Sequence, residues 1–107
     1  MNTERLKGNL DVLLLAVLEG APAHGYAIIS ALREQSGGQF DLPEGTVYPA
    51  LHRLERAGRL RSRWDDAAPR RRRIYEITTE GLAELRAGRT HWQEFSTGMR
   101  AVLGWSA

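Results

Sequence analysis

Apolar residues recur at helical spacing in four stretches of this chain and at a spacing of two in one, and that change of period lays out its elements. Leu6, Leu10, Leu13, Leu14, Val17 and Leu18 mark a first helix, with Asn9 as candidate N-cap and Gly20 and Pro22 as its stop. Gly25, Ile28, Ile29 and Leu32 mark a second, with Tyr26, Ser30 and Arg33 on its polar side and Gly37 and Gly38 at its end. Phe40 and Leu42 anchor the turn into a third. There Val47, Ala50, Leu51, Leu54 and Gly58 fall on one side, and Gly45, Tyr48, Pro49, His52, Arg53 and Arg56 on the other.

A proline inside a helix removes a backbone hydrogen bond and costs ~3 kcal/mol or more. Two starts for the third helix are open. Thr46 as N-cap places Pro49 in the first turn, where its missing N–H has no helical partner. A start near Pro43 instead bends the helix at Pro49.

Past Gly58 the period becomes two. Leu60, Ser62 and Trp64 alternate with Arg61 and Arg63, residues 65–69 read as a turn, and Arg71, Arg73, Tyr75 and Ile77 alternate with Arg72, Ile74 and Glu76. Such a hairpin is marginal alone and must pack on the helices. Thr78 then caps a final helix, with Glu80 near its positive end. From Thr79 to Gly104 that helix would reach ~39 Å, at about 1.5 Å per residue. Leu85, Trp92 and Met99 are spaced by seven, as are Gly88, Phe95 and Val102, so the helix has a heptad-like seam. The predicted fold is mainly α with a small β-hairpin. It comprises a winged helix-turn-helix over residues 1–78 and a long C-terminal dimerisation helix over residues 79–107. The seam outruns one small core and calls for a partner helix from a second copy; folding back on its own domain would leave tryptophans exposed.

Composition narrows the classes. With 107 residues, 42% hydrophobic and 26% charged, the chain suits one small globular domain. The apolar run from Val12 to Leu18 is too short to span a bilayer, and Glu4 with no cleavage pattern argues against a secretory signal, so a cytoplasmic protein without membrane association is expected. With no cysteine there is no disulfide framework or thiolate chemistry. His24, His52 and His91 lie in three helices without metal-ligand spacing, and no nucleophile elbow, P-loop or dinucleotide fingerprint is present. Neither an enzyme nor a cofactor is expected.

Net charge is only +2, but Arg53, Arg56, Arg59, Arg61, Arg63 and Arg70 to Arg73 crowd into one section. Arginine suits planar, bidentate recognition of phosphate and guanine. Placed in a major groove, the third helix would offer Tyr48, His52 and Arg53 to base edges, with Thr46 and Arg56 near the backbone and Pro49 on the same DNA-facing surface. Arg70, Arg71, Arg72 and Arg73 would follow the backbone or enter the minor groove. The second helix would turn its first amides, at His24 and Gly25, to a phosphate, with Tyr26 beside them. The expected partner is double-stranded DNA with a palindromic operator, its half-sites about 10 base pairs apart or a multiple of that. The alternative is a winged helix used for protein contact without specific DNA binding.

These residues resemble the PadR family of bacterial transcriptional regulators, in particular its short members with a single C-terminal helix. The resemblance runs through LKGNLDVLLLAVLEG at residues 6–20, HGYAIISALRE at 24–34, EGTVYPALHRLERAGRL at 44–60 and RRIYEIT at 72–78. Two positions depart from it: Pro43, where the family often has serine or a similar cap, and Ile74, where it often has an aromatic residue. It implies a homodimeric repressor bound to its operator at the nucleoid. The first helix would assist the last at the interface, so Leu6 and Leu10 join Leu85, Trp92, Phe95, Met99 and Val102 there. It further implies a small hydrophobic or aromatic effector near that interface, with Trp92 and Phe95 as candidate contacts, that releases the DNA.

Overall fold

In the computed structural model, which describes residue 6, residues 8–67 and residues 69–105, the helices and the base of the wing share one hydrophobic core. Helix α1 spans Leu10–Gly20, strand β1 Ala23–His24, helix α2 Gly25–Gln35 and helix α3 Glu44–Arg56. Strands β2 (Leu60–Asp65) and β3 (Arg72–Ile77) make the wing, and helix α4 covers Thr79–Leu103. Val47, Ala50, Leu51 and Leu54 of α3 are buried, as the period required. They meet Leu14, Leu15 and Leu18 of α1, Ile28 and Leu32 of α2, and Leu60, Tyr75 and Leu85. No buried side-chain polar atom among the described residues lacks a partner.

The second of the two starts for α3 is the one observed. Pro43 is the N-cap and Pro49 lies inside the helix, past its first turn, while Thr46 is within the helix rather than capping it. The backbone N–H groups of Thr46 and Val47 donate to the Pro43 carbonyl at 3.0 and 3.2 Å. Pro49 has no N–H to offer Gly45, whose exposed position leaves that carbonyl to solvent. The penalty is thereby moderated.

The sheet has three strands in the order β1-β3-β2, one more than the expected hairpin. Strand β1 pairs antiparallel with β3 through Ala23 opposite Tyr75 and His24 opposite Ile74. A strand of two residues shows no period in the sequence, yet it ties the start of α2 to the wing. The register of β2 on β3, Leu60 opposite Ile77 and Trp64 opposite Arg73, puts Leu60, Ser62, Trp64, Arg73, Tyr75 and Ile77 on one face. Ala68, in the predicted turn, and nearly all of the N-terminal arm lie outside the described residues.

Helix α1 begins at Leu10, after Leu6. Asn9 occupies the N-cap position without capping, because its Oδ1 accepts from Trp92 Nε1 at 2.8 Å. Thr78 caps α4, accepting from the Gly81 N–H at 3.1 Å and donating to the Gly58 carbonyl at 2.7 Å. Two glycines let α4 lie close. A Cβ at Gly81 would sit 2.2 Å from the Arg59 carbonyl oxygen, and one at Gly88 would sit 2.6 Å from Val12 Cγ2. The helix ends on Gly104, at φ 76°, in a molecule of 52 × 28 × 21 Å.

Two of the expected dimer residues are taken up within the chain itself. Leu6 and Leu85 are only 6% and 1% exposed and belong to the domain core. Leu10 packs partly against that core. On the far half of α4 and just past it, Trp92, Phe95, Met99, Val102, Leu103 and Trp105 are left uncovered.

Candidate nucleic-acid interface

The start of α2, the outward side of α3 and the wing enclose a cavity of about 640 Å³. Nine of the thirteen residues expected at the DNA surface line it: His24, Gly25, Tyr26, Tyr48, His52 and Arg70 to Arg73. Thr46, Pro49, Arg53 and Arg56 lie outside it. Trp64, Pro69 and Tyr75 complete the lining, which contains four arginines and no carboxylate. Aromatic faces and guanidinium groups in one concavity suit bases and phosphates.

Tyr48 is placed by Gly25. A Cβ at Gly25 would lie 2.2 Å from the Tyr48 hydroxyl, so the phenol rests directly on the first residue of α2. Burial, followed by the charge of Glu44, pushes the Tyr48 hydroxyl pKa up, and the phenol is a neutral donor. Tyr48 is accordingly half-buried, lining the cavity with its outer end against the junction between α2 and α3. Tyr26 is the projecting phenol, 61% exposed, with its pKa raised chiefly by a hydrogen bond to Glu44.

His24 joins the start of α2 to the wing. Its Nδ1 lies 3.4 Å from the Ala27 N–H, and its Nε2 lies 3.0 Å from Nη1 of Arg72. A neutral imidazole has one acceptor nitrogen and a guanidinium only donates, so the two contacts are alternatives selected by the tautomer. Desolvation first and Arg72 second depress the His24 pKa, against a smaller opposite effect of Asp65. The neutral ring is therefore the resident form near pH 7.

The arginines divide by partner. Arg53 pairs with Asp11 on α1, so a guanine contact would first require that pair to open. Arg71 pairs with Asp66 at 2.9 Å and lies over the Trp64 ring at 4.3 Å. Arg73 reaches the same ring at 5.1 Å, donates through Nε to Ser62 Oγ at 2.7 Å, and comes within 3.6 Å of Glu55. Arg73 thus faces inward, a consequence of its register opposite Trp64. Among the described residues Arg56, Arg63, Arg70, Arg72, Arg86 and Arg100 are exposed and have no carboxylate partner, and of these Arg72 contacts His24. Arg63 and Trp64 were not among the expected site residues, although their place in the arginine-rich alternation of β2 was a usable signal.

Comparison with known proteins bears on what this surface serves. The sequence model of the Transcriptional regulator PadR-like family matches residues 14–87, a span from the middle of α1 to the first half of α4. The transcriptional regulator Rv3488 of Mycobacterium tuberculosis is 39% identical over 72 residues, covering 67% of this chain and 64% of that protein. A PadR family regulator from Clostridium difficile superposes with a TM-score of 0.79 at 31% identity, covering 88% of this chain and 97% of the other. A transcriptional regulator from Clostridium thermocellum gives 0.84 at 25% identity, with 94% and 96% covered. A PadR family regulator from Eggerthella lenta gives 0.81 at 34% identity, with 94% and 86% covered.

Proposed function

The chain belongs to the PadR-like family of transcriptional regulators, and from that membership we propose that it is a homodimeric, operator-specific repressor released by a small hydrophobic or aromatic molecule. The family consists of DNA-binding regulators rather than enzymes, and no helix among the described residues is long and apolar enough to cross a membrane. One observation supports the DNA-reading surface above all others: a cavity bounded by α2, α3 and the wing whose lining holds four arginines and no carboxylate. In this reading α3 enters the major groove, His52 and Tyr26 approach bases or their flanking phosphates, and the wing follows the backbone. Arg56, Arg63 and Arg70, free of internal ion pairs, supply the phosphate contacts.

The labour divides near Thr78. Residues 1–78 read DNA, and residues 79–107 join the copies. Trp92, Phe95, Met99 and Val102 follow one another at helical spacing and are 39%, 49%, 44% and 87% exposed, an apolar face of the kind a second copy of α4 would cover. A two-fold axis there would repeat α3 against a palindromic operator. The edge-on pair of Trp92 and Phe95, 5.3 Å between centroids, offers a flat apolar effector a place between subunits.

Binding to duplexes from the chain's own promoter, at two salt concentrations, tests the DNA reading. The expected result is a specific shift that weakens steeply with salt. No shift, together with a protein recovered by pull-down, would overturn it in favour of a protein-contact module.

A further inference from the structure

Glu55 is out of place on electrostatic grounds. It lies in the last turns of α3, among arginines that face a polyanion, where a carboxylate repels the partner. Its contacts explain its presence. Glu55 Oε2 accepts the Ser62 hydroxyl of β2, and Ser62 Oγ accepts in turn from Arg73 Nε of β3 at 2.7 Å. The Arg73 guanidinium also comes within 3.6 Å of the Glu55 carboxylate and continues over the Trp64 ring at 5.1 Å. Arg71, at the hairpin tip, lies over that ring at 4.3 Å.

We propose that Glu55 is a positioning residue for DNA recognition: through Ser62 and Arg73 it clamps both wing strands to α3 and so sets the wing's angle to the recognition helix. This rests on the DNA reading above and goes beyond it, because it gives an acidic residue that touches no DNA a role in specificity. The physical basis is the contrast between the two junctions of the wing. Its base is held by the core residues Leu60 and Tyr75, whereas its outer half, from Trp64 onward, is exposed and held by polar and cation–π contacts. Charge-assisted hydrogen bonds are directional, so a helix-to-strand clamp of this kind fixes an angle that apolar packing at the base leaves free. The same clamp turns Arg73 inward, which leaves Arg63, Arg70 and Arg72 as the wing cations without an ion pair.

The sign of one measurement separates the clamp from simple charge. Glu55→Ala, Glu55→Gln and Ser62→Ala would be compared with the wild type on the 30-base-pair duplex that the wild type enriches from a random pool, and on a scrambled duplex. Removing a negative charge beside phosphates should tighten binding to both duplexes if Coulomb repulsion is all that matters. The clamp predicts the opposite for the selected duplex, an affinity loss of about tenfold for Glu55→Ala, with binding to the scrambled duplex unchanged or tighter. Ser62→Ala, which alters no charge, should lose in the same direction, and Glu55→Gln, which retains an acceptor for Ser62, should lose less. Equal or tighter binding of Glu55→Ala to the selected duplex overturns the proposal.

A second readout needs no DNA. In a Trp92→Phe, Trp105→Phe background, Trp64 is the single tryptophan, and Glu55→Ala should raise its quenching by acrylamide, a neutral quencher blind to the lost charge, as the Arg73 stack loosens. Unchanged quenching also overturns the clamp. Failure of the wild type to enrich any duplex would instead count against the DNA reading, with the Trp64 result still deciding the clamp.

Discussion

Tyr48 occupies the space that a side chain at residue 25 would need, so the two residues are chosen together. Gly25→Ala must displace the phenol and open the junction between α2 and α3, and overpacking of this kind costs about 1–3 kcal/mol. The expected outcome is a lower urea midpoint with an unchanged slope. His24 predicts a pH effect with a definite sign. Its folded pKa is depressed, so the folded state binds its proton less readily than the unfolded chain does. The associated stability is present above the unfolded value, about 6.5, and is lost as pH falls through the lower folded value. Thermal unfolding of the wild type should therefore drop faster than that of His24→Asn between about pH 6.5 and 5, since asparagine keeps an N-cap without titrating. Parallel curves would count against it.

The four helices and the hairpin were legible because each has its own period, and the buried set on α3 is the one its apolar positions foretold. The short strand β1 was not, since two residues carry no alternation. Nor did the seam of α4 divide itself in the sequence, where Leu85 and Met99 occupy equivalent heptad positions. Packing divides it after Trp92: α4 lies against Val12 at Gly88 and the Trp92 indole N–H still donates to Asn9 ahead of α1, whereas Phe95, Met99 and Val102 are left exposed. That division is testable within one element. Leu85→Ala should cost about 2–5 kcal/mol of domain stability, as expected for a buried leucine. Phe95→Glu with Met99→Glu should leave the winged domain folded and convert a dimer to a monomer in sedimentation. Loss of folding in the double variant would place those residues in the domain core instead.

At the scale of the whole molecule, DNA affinity should rest largely on released counterions, so log K should fall linearly with log salt. Each phosphate contact contributes roughly 0.9 to that slope. Arg70→Ala should therefore reduce it by about one per site, or about two in a dimer. Arg53→Ala should change the slope little, because Arg53 is held by Asp11. If Arg53→Ala removes more of the slope than Arg70→Ala, the partition of the arginines is wrong.

The local order of this chain was determined by its sequence: which segments coil, which alternate, where glycine and proline stop them, and that one section is dense in arginine. Those features depend on neighbours a few residues apart. Nine of the thirteen expected DNA-surface residues line one cavity because a helical face and a strand alternation each place their residues together. Which arginine is free was decided only by tertiary structure. Arg53, Arg72 and Arg73 look alike in sequence, yet Asp11, His24 and the pair of Ser62 and Glu55 engage them from other elements of the fold, whereas Arg71 meets Asp66 across the turn of its own hairpin. The start of α3 was decided in the same way. Residues beside a proline allow more than one helix origin, and in the fold the Pro43 carbonyl takes the N–H groups of Thr46 and Val47, so the helix begins at Glu44.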